Sequence, residues 1–143
     1  MFLGQFRHSL DTKGRLIIPS NFRKDLDKVL FLTRGVERCI FAYPEDAWEE
    51  MYQKISSLSL TRKETREFAR VFLASASREE MDVQGRIIIP PYLRGYAQIK
   101  DKVVVVGVGA RFEVWSESLW DPYVTGLEDK FSQIAESIVD TGL

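Results

Sequence analysis

The stretch Asp11-Thr12-Lys13-Gly14-Arg15-Leu16-Ile17-Ile18-Pro19 returns later in the chain as Asp82-Val83-Gln84-Gly85-Arg86-Ile87-Ile88-Ile89-Pro90. The match continues with Phe22-Arg23 against Leu93-Arg94. One inserted residue later, Gly35 meets Gly107, Tyr43 meets Trp115 and Trp48 meets Trp120. An ordered run of Asp, Gly, Arg, Pro, Gly and Trp at a fixed offset is the mark of a duplication. The repeat fills about half of the 143 residues, longer than the ~20–50 residues of solenoid repeats. The chain therefore reads as two copies of one module.

Each copy predicts the same order of elements. An extended segment enters at Gln5 to Leu10 or Ser77 to Met81. A tight turn follows, in which Gly14 and Gly85 can take positive φ and Asp11 and Asp82 can bond nearby backbone N–H groups. The β-branched runs Arg15 to Ile18 and Arg86 to Ile89 predict strands, ended by Pro19 and Pro90, which have no N–H to donate. A helical turn is expected from Ser20 to Leu26, with Ser20 as its cap. Two hairpins follow, Val29 to Arg34 with Cys39 to Tyr43 and Lys102 to Val106 with Arg111 to Trp115. A helix over Asp46 to Leu58 places Trp48, Met51, Tyr52 and Ile55 on one face. Thr61-x-x-Glu64 reads as a capping box for a helix with Phe68, Val71 and Phe72 on its apolar side. The second copy's closing helix is expected near Ser116. The tail from Thr125 to Leu143 is weakly amphipathic through Leu127, Phe131, Ile134 and Ile138.

These elements define an α+β protein, mainly β with short helices. The expected organisation is a first repeat with its helix at 1–58, a linking helix at 59–73, and a second repeat with C-terminal helices at 74–143. A single copy has too few strands to bury a core or cover its edges. Two copies can interleave their hairpins, and a closed barrel with a pseudo-two-fold axis is the expected result. That symmetry puts the two Asp-x-x-Gly-Arg turns in comparable positions, which suits the repeated backbone of a DNA duplex.

Composition narrows the function classes. Hydrophobic residues make up 45% and charged residues 29% of the chain, ordinary for a soluble domain. No apolar run approaches the ~18 residues of a membrane span, and the N-terminus has no basic leader with an apolar core. A cytoplasmic protein without a membrane partner is expected. The single Cys39 cannot form an internal disulfide. The net charge is −1, but it is unevenly spread. Residues 1–43 hold eight basic and four acidic side chains, and residues 116–143 hold one basic and six acidic. A local positive face is compatible with a neutral whole.

The duplicated Asp-x-Lys/Gln-Gly-Arg-x-x-x-Pro segment resembles the MraZ family, within the AbrB-like swapped-hairpin superfamily. The opening Met1-Phe2-Leu3-Gly4, the segments Phe41-Ala42-Tyr43-Pro44 with Trp48, and Phe112-Glu113-Val114-Trp115 with Trp120 are similar to that family as well. The resemblance covers nearly the whole chain. It implies a swapped-hairpin fold and a cytoplasmic, nucleoid-associated regulator that binds short DNA repeats upstream of a division and cell-wall gene cluster. It also implies self-assembly into rings. Gln84 departs from the lysine pattern set by Lys13, which marks the second turn as the weaker DNA contact.

Arg15 and Arg86 are the leading candidates for DNA contact, because a guanidinium can grip a phosphate or the N7/O6 edge of guanine at two points. Lys13 would add a point charge, and Arg7 and Arg78 would flank the same surface. Asp11, Gly14, Asp82 and Gly85 are expected to shape the turns. The plainer reading is that Arg15 and Arg86 only pair with Asp11 and Asp82. His8 has Glu79 as its counterpart, and Cys39 has Arg111; neither pattern suggests chemistry. No metal-ligand spacing or phosphate-loop motif is present, so no cofactor, small-molecule substrate or enzymatic activity is expected. The alternative is a non-enzymatic interaction or assembly scaffold for a protein partner. Trp48 and Trp120 are expected in the core.

Overall fold

The computed structural model describes residues 1–138. The end of the predicted tail, 139–143, lies outside the described residues. The first copy supplies β1 (Gln5–Ser9), β2 (Arg15–Ile17), α1 (Ser20–Arg23), β3 (Val29–Arg34), β4 (Ile40–Pro44) and α2 (Glu45–Ser56). Helix α3 (Lys63–Ala74) links to the second, which supplies β5 (Ser77–Glu80), β6 (Arg86–Ile88), α4 (Pro91–Tyr96), β7 (Lys102–Gly107), β8 (Phe112–Ser116), α5 (Glu117–Glu128) and α6 (Phe131–Ser137).

The copies exchange strands. Six antiparallel strands run in the order β1-β7-β8-β4-β3-β5. β1 of the first copy pairs with β7 of the second, with Phe6 opposite Val105. β5 of the second pairs with β3 of the first, with Phe31 opposite Arg78. The two hairpins join through β4 and β8, with Ile40 opposite Val114. β2 and β6 stand apart as a two-stranded ribbon. The sheet is open, with β1 and β5 at its edges, so the closed barrel expected from the sequence is not formed. The reason is local: β2 and β6 are three residues each and pair only with one another. Among the described residues no hydrogen-bonded ladder then joins the sheet's two edges.

Each face of the sheet carries its own core. On one face Leu30, Leu32, Ile40, Val103, Val105 and Phe112 meet Leu16 and Ile87 of the ribbon, Phe22 of α1 and Leu93 of α4. On the other, Phe41, Tyr43, Val104 and Trp115 meet Ile55 of α2, Phe72 of α3 and Trp120 of α5. Aromatic packing is dense there. Trp48 stacks on Phe31 at 5.3 Å and on Phe72 at 5.9 Å, and Trp115 meets Trp120 edge-on at 5.2 Å. The side on which a residue lies follows strand alternation.

Several local expectations are corrected. Ser20 begins α1, but the capping position is Pro19 and no side chain caps the helix. α3 starts at Lys63 with no side-chain cap. Thr61 Oγ1 instead bonds Ser59 Oγ at 2.8 Å, so the predicted capping box is absent. Ile55 is buried as expected, with Trp48 and Met51 packed beside it, but Tyr52 is exposed. Phe72 is buried, whereas Phe68 and Val71 are exposed. In the tail, Phe131 and Ile134 of α6 and the Ile138 that follows it are exposed.

Candidate nucleic-acid interface

The two turns are built alike. At the first, the Asp11 carboxylate accepts from the backbone N–H of Lys13 and of Arg15, both at 2.9 Å. Its second oxygen accepts from Arg15 Nε at 2.6 Å. At the second, Asp82 accepts from the N–H of Gln84 and of Arg86 at 2.9 Å, and from Arg86 Nε at 2.8 Å. The turn closes through Gly14 N–H to Asp11 C=O and Gly85 N–H to Asp82 C=O, both at 3.0 Å. Gly14 and Gly85 have φ of +75° and +77°, where a side chain would strain the backbone. The backbone N–H of Arg15, followed by its side chain, holds the Asp11 carboxyl below the usual carboxylate range, and Arg86 does the same for Asp82. Both aspartates are anions at neutral pH and orient the turns.

The pairing of Arg15 with Asp11 and of Arg86 with Asp82, expected on the plainer reading, is present. Each one pairs with its aspartate, but through Nε. The terminal nitrogens of Arg15 and Arg86 have no hydrogen-bond partner among the described residues. The side chains keep 28% and 25% exposure, so each guanidinium is fixed at its inner edge and open at its outer edge.

The ribbon relates the turns by a pseudo-two-fold axis. Arg15 lies opposite Ile88, Leu16 opposite Ile87, and Ile17 opposite Arg86. Ile18 N–H donates to Gly85 C=O and Ile89 N–H to Gly14 C=O, both at 2.9 Å. One turn therefore sits at each end of the ribbon. A further pair of cations crosses between copies. Arg94 packs so closely on Gly14 that a Cβ there would lie 2.8 Å from its guanidinium carbon. Arg23 packs as tightly on Gly85 and donates to Gln84 C=O at 3.3 Å. The sequence reading aligned Arg23 with Arg94 but gave them no role. Their recurrence four residues after Pro19 and Pro90 was the available signal. Together the ribbon ends gather Lys13, Arg15, Arg23, Arg86 and Arg94 against two carboxylates. Lys13 is exposed on the first turn.

Arg7 and Arg78 do not join this group. Arg7 lies opposite Val104 and Arg78 opposite Phe31, which places both on the helix-covered face of the sheet. Arg7 is held by Asp121 at 2.8 Å and Glu117 at 3.1 Å on α5, and these hydrogen bonds raise its pKa further. Arg78 pairs with Glu80 at 3.2 Å. Spacing along the sequence placed them near the turns; strand parity sends them to the opposite side. Cys39 is completely buried, and burial pushes its thiol pKa up, so it is poorly suited to nucleophilic work.

The chain is thus a duplicated α+β module that exchanges strands with itself and carries a two-fold pair of matched Asp–Arg turns. Comparison with known proteins makes this specific. The family model described as "MraZ protein, putative antitoxin-like" matches residues 1–71 and again 72–141. The chain belongs to the MraZ family. It is 49% identical to the transcriptional regulator MraZ of Natranaerobius thermophilus over 140 residues, 98% of each chain. It is 46% identical to the proteins of the same name from Desulforamulus reducens and Moorella thermoacetica, again over 98% or more of each chain.

Proposed function

We propose that this chain is a non-enzymatic, sequence-specific DNA-binding regulator of transcription, using the two ribbon ends as its contact surface. One observation carries the reading: Arg15 and Arg86 are anchored through Nε in symmetric turns while their outer nitrogens stay open. Two unpaired terminal nitrogens leave each guanidinium able to make an end-on bidentate grip on phosphate or guanine. Lys13 adds a cation at one end, and Arg23 and Arg94 stiffen the turns from behind while contributing charge. Arg7 and Arg78, bound to carboxylates on the other face, are left out of the contact set. The strand exchange between copies supports a swapped-hairpin architecture of the AbrB-like kind, opened into a sheet plus a ribbon.

The names of the relatives favour transcription as the process, in the cytoplasm at the nucleoid. Short repeats upstream of a division and cell-wall gene cluster are the target to test first. One chain offers few contacts, so several chains joined in a ring would gain affinity by engaging spaced repeats together. The scaffold alternative draws on the exposed Phe68 and Val71 of α3.

A gel-shift titration separates the two. The regulator shifts DNA taken from upstream of its own gene, and shifts random duplex more weakly, with log affinity falling linearly as log salt rises. A protein that shifts neither duplex at low salt is not a DNA regulator, and the scaffold reading then stands.

A further inference from the structure

The outward face of the ribbon is unusual in composition. Alternation sends Leu16 and Ile87 inward, where they are 0% and 1% exposed. It sends Arg15, Ile17, Arg86 and Ile88 outward. Ile17 is 48% exposed and Ile88 52%. The exposed positions of β1 and β5, on the helix side of the sheet, are polar: Gln5, Arg7, Ser9, Arg78 and Glu80. Packing does not call for isoleucine at either ribbon position, yet the two copies carry it at matched places. Each isoleucine also lies directly across from an arginine, giving two Arg–Ile pairs side by side.

We infer that this face reads bases: Ile17 and Ile88 meet thymine methyl groups, next to the base edges that Arg86 and Arg15 grip. The inference rests on the DNA-binding reading above and deepens it. A two-stranded ribbon with no flanking strand fits a major groove about 12 Å wide. The groove presents one apolar feature, the thymine C5 methyl, and an outward aliphatic side chain is a suitable partner for it. The two turns lie at the ribbon's ends, four residues apart along the strand. That is roughly 13 Å, or about four base-pair steps of 3.4 Å. Lys13 and Gln84 are then placed to meet backbone phosphates while the four central side chains face bases.

The experiment uses the tightest-binding duplex selected from a randomised library. Each thymine is replaced in turn by uracil, which removes only the methyl group. The wild-type protein should lose about fourfold in affinity for each methyl read, the effect of exposing one buried methyl group. An Ile17→Ala, Ile88→Ala double variant should bind thymine and uracil duplexes equally. Both positions are exposed, so its melting temperature should match the wild type. The uracil series on the wild-type protein needs no variant, so a folding defect cannot obscure the result. A wild type indifferent to every replacement overturns the inference, as does a double variant that still discriminates. A double variant whose only change is in oligomeric size also overturns it, since the isoleucines would then serve self-contact. If the wild type shifts no duplex at all, the DNA-binding reading itself fails.

Discussion

At the level of single residues, Asp11 and Arg15 divide their work. The carboxylate satisfies two backbone N–H groups and fixes one edge of the guanidinium. Arg15→Ala therefore removes the open edge without dismantling the turn. It should weaken DNA binding by roughly 5- to 150-fold, the range for a lost bidentate arginine contact. Its melting temperature should stay near the wild type, because a partly exposed ion pair contributes little. Unchanged DNA affinity in a gel shift would remove Arg15 from the site. Asp11→Asn tests the other half through pH. The Asp11 carboxyl is lowered in the folded protein, so its stabilising effect is fully present above the unfolded pKa of about 3.9. It fades as pH falls through the lower folded value. The stability gap between wild type and Asp11→Asn, measured by urea unfolding, should be constant near neutrality and shrink below about pH 4. A gap that grows on acidification would contradict the assignment.

Among the elements, legibility tracks how local each signal was. The turn, the strand after it and the proline that ends it are short-range chemistry, and each was readable from the paired segments. The hairpins were readable too, because Val103-Val104-Val105 and its counterpart carry β-branched and apolar runs between turn residues. The capping box at Thr61 was not a reliable signal, because a Ser59–Thr61 hydroxyl bond takes up the side chain meant for the cap. Arg7 and Arg78 were misplaced because distance along a chain does not encode the face of a sheet; Glu117 and Asp121, more than a hundred residues away, claim Arg7. The exposed apolar side chains of α3 and α6 show the same limit, since helical periodicity identifies a stripe but not what covers it. α5 offers a test of the ordinary rules. Gly126 lies within this helix, and a Cβ there would meet nothing within 4 Å. Gly126→Ala should stabilise the protein by up to about 1 kcal/mol, through lower unfolded-state entropy and better helix propensity. Thermal or urea unfolding checks it, and a loss of stability would mean that the helix end needs glycine's freedom.

For the molecule as a whole, duplication was plain in the sequence, but the open sheet was not. Interleaving two hairpins was expected to close a barrel; three-residue ribbon strands bounded by Gly14, Pro19, Gly85 and Pro90 pair with each other instead. The consequence is that neither copy is self-sufficient. A chain of residues 1–74 keeps the β3–β4 hairpin but loses β7 beside β1, β8 beside β4, β5 beside β3 and β6 beside β2. A lone two-stranded hairpin is marginal in water, and Leu16 and Phe22 would face solvent. Such a fragment should be unfolded when dilute. On concentration it should fold only as a dimer, a second copy taking the place of residues 75–143. The proposed contact surface follows the same rule, because Arg23 packs on Gly85 and Arg94 on Gly14 across the copies. DNA binding by the fragment should therefore rise steeply with its own concentration and track the dimer measured by sedimentation equilibrium. A folded, DNA-binding monomer of residues 1–74 would show that strand exchange is dispensable, and the two-fold site built on it would have to be abandoned.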